Sequence, residues 1–308
     1  MMKHMGRLMV WLAVLAGAAS SAFQARGESI TLKPAADTSL FENSPNNNLG
    51  HAWLAAGTIK TGKKSRALIR FDLSTIPTNA VVTSATFTLR VVKVPTAPPS
   101  SSFGLHRVLK SWQEGTKGSA GPNQGAPAGT NETTWKARST PTVLWTVPGG
   151  SAPDDFSATV SASHQLAGTG SYTFASTPEL VADVQAWLAA PDANFGWILI
   201  STSENIVKTA RRIGNREDKA NSPTLVVEYT AQTAAQPPQI GSPRRVGDQL
   251  EFVFNAEAGR LYSVETRSDL PIAPWTFFKA VGPFDAATDV VIADALSLDY
   301  RFYRVTTP

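Results

Sequence analysis

The sequence predicts an all-β protein: a jelly-roll β-sandwich with one short helix, followed by a smaller β-sandwich-like domain. Short runs alternate apolar and polar residues with the period of two that half-buried strands show. Gly, Pro and Asn turns separate these runs at short intervals, as in sandwiches and jelly rolls. Helical periodicity, by contrast, is clear in one segment after the N-terminal region. Together these features favour many short strands packed in layers.

The most regular strand pattern lies in SRALIRFDLSTIPTNAVVTSATFTLRVV, residues 65–92. Ile69 and Phe71 point to one face and Arg70 to the other, and the second run alternates in the same way. Pro77 and Asn79 favour a turn between them. The same criteria predict further strands at residues 29–32, 52–56, 103–109, 172–175, 197–202 and 224–229.

One helix is predicted over residues 178–189. Apolar residues recur there at helical spacing behind a Thr177 cap and Pro178 in the first helical position, and Pro191 ends the pattern.

The N-terminus has the pattern of a signal peptide. Lys3 and Arg7 precede the apolar run LMVWLAVLAGAA, which is too short to span a bilayer, and small residues follow. Cleavage is expected after Ala22, with Ala25 as the alternative. We therefore expect a soluble protein that is secreted, extracellular or held at the cell surface, and the export of a cysteine-free chain favours a bacterial source.

The charge balance does not favour nucleic acid as a partner. The formal net charge of +4 falls to about +2 when Lys3 and Arg7 are removed. Nucleic-acid-binding proteins usually carry a concentrated basic stripe instead. Because the chain lacks cysteine, disulfides and thiolate metal sites are excluded.

Composition divides the remaining chain into two domains. The larger, residues 23–230, contains a segment at 113–158 that is rich in Gly, Ser, Thr and Pro, a length typical of functional or disordered loops, and Trp135 and Trp145 favour packing of part of it. Residues 231–243 hold three prolines and no apolar period, which predicts a linker. Five strand-like runs follow in a small C-terminal β domain, residues 244–308.

The order of motifs resembles the secreted DNRLRE-domain proteins, which overlap carbohydrate-binding module family 96. The matching pieces are ADTSLFENSPNNNLG, the 65–92 pair, HRVLKSWQEG, ETTWKAR, VQAWLAAPDANFGWILIST, NRE and SPTLVVEY. This resemblance implies a jelly-roll fold, polysaccharide binding in some members and association with secreted polysaccharide-degrading enzymes. It also implies that residues 65–92 form a central strand pair.

The C-terminal tail, with AGRLYSVETRSDL and YRFYRV, resembles a small β module of large verrucomicrobial or planctomycete secreted proteins.

The sequence offers few groups for catalysis, so we expect no enzyme. The three histidines that follow the signal peptide form no zinc-type cluster, and neither a GxSxG nor a phosphate-binding loop is present. A polysaccharide lyase using His106, Tyr172 and Arg212 together is the catalytic alternative, because a fold can assemble such a group from distant residues.

Carbohydrate-binding sites typically contain exposed aromatic rings flanked by polar or charged groups. The candidate stacking platforms are Trp53, Trp112, Trp135 and Trp145, and the alternative for each is packing under its own loop. The basic group of Lys208, Arg211 and Arg212 suits uronate carboxylates, and its alternative is a solvated loop.

Two further predictions concern loop carboxylates. Asp37 and Asn43 are the candidate ligands of a structural calcium ion, since hard oxygen donors suit that ion, and solvated side chains are the alternative. Arg216 and Glu217 of the NRE motif are expected to form a structural ion pair that holds their loop to the sheet.

These features lead us to expect a secreted, non-catalytic protein that binds an acidic, uronate-rich cell-wall or environmental polysaccharide. It is not expected to insert into a membrane. The alternative is a structural or adhesive protein of the cell surface or matrix, without glycan binding.

Overall fold

The computed structural model describes residues 27–119, 121, 124–231, 238–268, 274–295 and 301–307. The predicted signal peptide, residues 1–22, and residues 232–237 of the predicted linker lie outside the described residues. The chain divides into two compact units, with the boundary after residue 232. Its described part contains no helix that is both long and apolar enough to cross a membrane.

The regular secondary structure described for the larger unit is almost entirely antiparallel strand. Its strands are β1 Gly27–Leu32, β2 Pro34–Phe41, β3 Asn47–Asn48, β4 Leu54–Thr58, β5 Lys64–Phe71, β6 Val81–Lys93, β7 Ser101–Val108, β8 Ala126–Pro127, β9 Ala137–Ser139, β10 Val143–Leu144, β11 Phe156–Leu166, β12 Gly170–Phe174, β13 Trp197–Ser201, β14 Arg211–Ile213 and β15 Thr224–Thr230. The helix α1, Pro178–Ala189, and a 3₁₀ turn, Pro191–Ala193, stand between β12 and β13. The all-β, sandwich-like fold with one α-helix is confirmed for this part of the chain.

Two layers make up this unit. The first has the order β1-β15-β6-β14, with β12 also on β6, and the second has the order β5-β13-β7-β11, with β2 also on β5. Strand β4 joins the layers, because Leu54–Ala56 pair with β14 and Gly57 and Thr58 pair with β5. Gly57 lies at this crossing with a φ of 101°. A side chain there would collide with the Thr209 carbonyl, so the crossing needs glycine.

The main core lies between the layers. Strands β5 and β6, the two runs of the 65–92 segment, do not pair with each other but lie in opposite layers. Phe71 and Phe87 meet edge to face at 6.0 Å, and Trp197 packs against both rings. The expected strand pair is therefore wrong: the proline turn carries the chain from one layer to the other.

A second apolar cluster lies on the outer side of the second layer. Leu68 and Ile198 point away from the main core and contact side chains of the long segment that follows β7. This cluster contains Ala36, Leu40, Leu68, Val108, Trp112, Trp135, Trp145, Phe156 and Ile198. The second layer is thus covered on both faces, and the Gly- and Ser-rich segment packs on it through Trp135, Trp145 and Phe156.

The helix begins and ends where the sequence predicts. The Thr177 hydroxyl accepts a hydrogen bond from the Leu180 amide at 3.0 Å, Pro178 occupies the first turn, and the α-helix ends at Ala189. Trp187 packs against Trp197 with ring centroids 4.6 Å apart. Gln185 bonds both the Val82 amide and the Ala80 carbonyl, which fixes the helix to the start of β6.

The smaller unit contains two three-stranded sheets. Its strands are β16 Arg244–Val246, β17 Gln249–Ala256, β18 Tyr262–Arg267, β19 Thr276–Val281, β20 Thr288–Ala295 and β21 Phe302–Thr306. The sheet orders are β16-β17-β20 and β19-β18-β21. Phe252, Phe254, Tyr262, Val264 and Ile292 are buried in their common core.

Candidate carbohydrate-binding surface

Three of the four candidate tryptophans are buried. The Trp112 indole donates its hydrogen bond to the Phe195 carbonyl at 2.8 Å, and the Trp145 indole donates to the Thr134 carbonyl at 3.0 Å. Trp135 lies beneath the Arg66 guanidinium, 5.5 Å from the ring centroid. All three side chains belong to the outer apolar cluster. The prediction that they form stacking platforms is therefore wrong, because their ring faces pack against the second layer and its covering loop.

Trp53 and Arg212 are brought together at the surface. Trp53 precedes β4, and Arg212 lies on the neighbouring β14, opposite Ala55. The guanidinium carbon is 3.7 Å from the Trp53 ring centroid, and Phe41 meets the same ring edge-on at 5.9 Å. Burial lowers the pKa of Arg212 from its usual value. Since Arg212 covers one face of this half-buried ring, the pair is a surface cation–π contact rather than an open platform.

The other two members of the predicted basic group have different environments. Arg211 is 1% exposed, and its guanidinium donates to the carbonyls of Leu166, Thr209 and Pro99 at 2.6–3.1 Å. Lys208 is exposed in the preceding turn, with a φ of 63°. The prediction that Arg211 binds ligand is therefore wrong, because its donors fasten the end of β11 and the loop before β7 to β14.

Asp37 and Asn43, the predicted calcium ligands, lie in different environments. Asp37 is buried within β2, where its Oδ2 accepts a hydrogen bond from the Arg216 amide at 2.8 Å, whereas Asn43 lies in the exposed turn after β2. Burial raises the pKa of Asp37 to about 8. Across the described ranges, no group of three or more His, Asp or Glu side chains is arranged to hold a metal ion.

The expected ion pair of the NRE motif is present and extends further than predicted. Arg216 Nε lies 3.0 Å from Glu217 and 2.5 Å from Glu114, whose Oε1 also accepts a hydrogen bond from the Asp37 amide at 2.8 Å. The hydrogen bond to Glu114 raises the pKa of Arg216. His51 approaches Glu217 at 3.6 Å. These contacts hold the loops that follow β7 and β14 against β2.

The segment between β7 and β11, residues 109–155, covers the outer apolar cluster and is called the covering segment. Beside the ion-pair network, it forms a shallow groove of about 720 Å³. Glu132 organises its wall: the carboxylate accepts hydrogen bonds from the Thr116 amide and hydroxyl and from the Gly129 amide, at 2.7–2.9 Å. Burial alone would raise the pKa of Glu132, but these hydrogen bonds outweigh it and hold the pKa below its usual value. The groove is lined by Ser111, Trp112, Gln113, Gly115, Thr116, Thr130, Asn131, Glu132, Arg138, Ser139 and Val143.

Uncharged hydrogen-bonding groups dominate the exposed lining. Gln113, Thr116, Thr130 and Asn131 are all exposed. Arg138 is half-buried and donates to the Ser111 carbonyl at 2.9 Å, so its guanidinium is held in place at the groove. Amide, hydroxyl and guanidinium groups match the hydroxyls and carboxylates of a sugar chain.

Sequence patterns did not identify these groove residues. The exception is Trp112, which was predicted as a stacking platform for a sugar ring. They come from three stretches, 111–116, 130–132 and 138–143, which hydrogen bonds across the loop bring together. Thr133 provides one such link, since its hydroxyl accepts from the Gln113 amide at 2.9 Å and donates to the Arg138 carbonyl at 2.6 Å. The sequence feature that could have indicated a site here was the unusual length of the segment at 113–158.

The three residues of the lyase alternative lie on separate strands. His106 is on β7 in the second layer, where its Nδ1 is 2.9 Å from the Ser157 carbonyl. Tyr172 and Arg212 belong to the first layer, on β12 and β14, and the Tyr172 hydroxyl bonds the Gly168 backbone. This arrangement does not assemble the three groups around one reacting atom.

Comparison with known proteins assigns neither a family nor a function to this chain. The chain matches no protein-family model and no curated protein. The resemblance to DNRLRE-domain proteins and carbohydrate-binding module family 96 therefore stays a hypothesis that depends on the motifs quoted above.

Proposed function

We propose that this chain is a secreted, non-catalytic carbohydrate-binding protein whose larger unit takes a segment of an acidic polysaccharide into the groove formed by residues 111–143. The observation that carries the proposal is the lining of that groove. Exposed amides and hydroxyls surround a fixed guanidinium there, next to the half-exposed side chain of Val143. Sugar chains present hydroxyls at their edges and apolar C–H groups on their ring faces, so this mixture suits them.

The one cation of the described groove lining favours an acidic chain. Arg138 is the one cation among the described lining residues, and the Glu132 carboxylate is engaged by three donors of its own loop. An incoming carboxylate therefore meets a guanidinium whose planar fork can bind it in a bidentate way. Neutral chains gain only the amide and hydroxyl contacts.

Affinity gel electrophoresis with alginate, polygalacturonate and a neutral glucan tests this function. The Gln113→Ala, Asn131→Gly double variant should bind about tenfold more weakly to each chain that binds, since it removes two exposed side chains. Glycine at 131 preserves the left-handed backbone, which has a φ of 67°. Arg138→Met should lose the preference for acidic over neutral chains.

Arg90→Ala is the matched control for Arg138→Met, because Arg90 is an exposed cation on the outer face of the first layer. It should leave binding unchanged. Unchanged binding in the groove variants would place the ligand elsewhere on the molecule. Failure of the folded wild-type chain to bind any acidic or neutral polysaccharide would instead support the structural or adhesive alternative.

A further inference from the structure

The smaller unit carries an aromatic and basic surface on the outer face of its β19-β18-β21 sheet. The strand register places Phe277 opposite Glu265, and Glu265 opposite Arg304. Arg267 lies opposite Phe302 on the same pair of strands. The neighbouring positions in these strands, such as Val264 and Val305, point into the core. We call the outward-facing set the aromatic platform; its members are Glu265, Arg267, Trp275, Phe277, Phe302 and Arg304.

Trp275 and two arginines form the centre of this platform. The guanidinium carbons of Arg267 and Arg304 lie 4.5 and 4.6 Å from the Trp275 ring centroid. Arg304 also donates to the Glu265 carboxylate. A guanidinium stacked on an aromatic ring directs its N–H groups within its own plane, where an anion can accept them. The stacking therefore positions cationic donors beside an indole ring.

The phenylalanines extend the apolar area on the same face. Phe277 is 68% exposed and Phe302 is 37% exposed. Single exposed apolar residues are common, but aromatic rings that cluster on one sheet face and alternate with cations are characteristic of binding surfaces. The next residue, Phe278, packs against the core, so the exposure of Phe277 follows from the strand alternation and not from a disrupted edge.

We infer that the aromatic platform is a second carbohydrate-binding site, which binds a uronate-bearing glycan chain against its rings and pairs the carboxylates with its arginines. Sugar rings stack on Trp and Phe faces through their C–H groups, and a uronate supplies a carboxylate beside the stacked ring. This combination matches rings and guanidinium groups that share one flat surface.

The distribution of charge favours a glycan over single-stranded nucleic acid. Glu265 lies among the cations of the platform, and elsewhere in the unit Arg244 and Arg260 pair with Glu251 and Glu257. A nucleic acid carries one phosphate on every nucleotide and needs a continuous row of cations along its path. A glycan with carboxylates beside its stacked rings needs only the few that the platform provides.

This inference is independent of the groove on the larger unit, and the full-length chain tests the two sites separately. Binding to polygalacturonate is measured by isothermal titration calorimetry for the wild type, the groove variant Gln113→Ala, Asn131→Gly, the platform variant Phe277→Ser, Trp275→Ala, and their combination. We expect the platform variant to weaken binding about tenfold in both the wild-type and the groove-variant background. Val291→Ser is the matched control, since Val291 is 49% exposed on β20 of the same unit, and it should bind like the wild type.

Because Trp275→Ala removes a half-buried ring, Phe277→Ser alone is measured as well, and its high exposure leaves folding unaffected. Unchanged affinity of this single variant and of the double variant in both backgrounds would overturn the platform. Binding of an oligodeoxynucleotide, or self-association in sedimentation velocity, that Phe277→Ser abolishes would overturn the carbohydrate assignment of this face. Loss of binding in the platform variant with no effect of the groove variant would support the platform and reject the groove.

Discussion

The indole Nε1 of Trp197 donates a hydrogen bond to Oδ2 of Asp183 over 2.8 Å, and this contact joins the only α-helix of the described chain to the second layer. The same oxygen accepts from the Ser161 hydroxyl at 2.5 Å, and Oδ1 lies 3.4 Å from Arg107. Burial raises the pKa of Asp183, although these hydrogen bonds oppose the rise. One carboxylate therefore links α1 to strands β7, β11 and β13.

Replacing this carboxylate is expected to destabilise the larger unit. Asp183→Ala should lower the free energy of unfolding by about 2–4 kcal/mol, because it leaves the buried indole and hydroxyl donors without an acceptor. Asp183→Asn should cost less, since the amide oxygen still accepts. Urea denaturation followed by tryptophan fluorescence measures both variants. An alanine variant as stable as the wild type would show that the helix is held by apolar packing alone.

Truncation of Arg211 should cost much more stability than truncation of its neighbour Arg212. Arg211→Ala removes donors from several buried carbonyls and is expected to cost about 3 kcal/mol of stability. Arg212→Ala removes one half-buried surface contact with Trp53 and should cost less than about 1 kcal/mol. Thermal unfolding of the two single variants checks this difference. Equal losses would contradict the buried role assigned to Arg211.

The turn at Gly149 supports Trp135 under the covering segment. Gly149 has a φ of 91°, and an added Cβ would lie 2.5 Å from Cζ2 of Trp135. Gly149→Ala should therefore destabilise the unit by about 2 kcal/mol or more, from backbone strain and a steric clash together. Gly62→Ala is the matched control, because its φ is 80° but nothing lies within 4 Å of the added Cβ. Differential scanning calorimetry should show the larger loss for Gly149; similar losses would remove the steric contribution.

Asp37 should make stability fall as pH rises. Its pKa is about 8 in the folded chain against 3.8 as the unperturbed value, so between these limits the folded state holds a proton that the unfolded state has lost. Over that window the loss of stability accumulates at up to about 1.4 kcal/mol for each pH unit. Below the window both states are protonated, and above it neither is, so the effect levels off at both ends.

Asp37→Asn mimics the protonated carboxyl and should remove this dependence. The variant is expected to gain stability relative to the wild type between pH 5 and pH 8.5, measured as the difference in free energy of unfolding by urea. Comparing differences cancels the titration of groups that both proteins share, although Glu114, Glu217 and Arg216 face Asp37 and contribute to its pKa. Parallel curves over this range would show that Asp37 is ionised in the folded chain.

Sequence patterns predicted the strand with the clearest alternation and missed two others, β2 and β11, for different reasons. Strand β6 alternates clearly, because its outer residues are partly solvated, and its bounds agree closely with the prediction. Strand β2 is buried along nearly its whole length and includes Asp37, so it offers no period of two. Strand β11 was missed because it is composed mainly of small and polar residues and its pairing with β7 shifts register twice.

The candidate site was less predictable than the fold, because its geometry depends on long-range contacts. A tryptophan in a polar loop, such as Trp135, has the same local sequence whether it packs inward or stands exposed. Burial of Arg211 depends on the Leu166 and Pro99 carbonyls, which are 45 and 112 residues away. The motif pair Arg216 and Glu217 could be predicted because the two partners are adjacent in the chain.

The pairing of the first and last strands of the larger unit determines how that unit carries mechanical load. Strand β1 lies at an edge and pairs antiparallel with β15, from Gly27 opposite Thr230 to Leu32 opposite Leu225. The chain therefore enters and leaves this unit at neighbouring points. Tension applied through the two ends separates the strands one hydrogen bond at a time, instead of shearing all of them together. Such a load is therefore expected to open the unit from this edge, with β1 and β15 separating first.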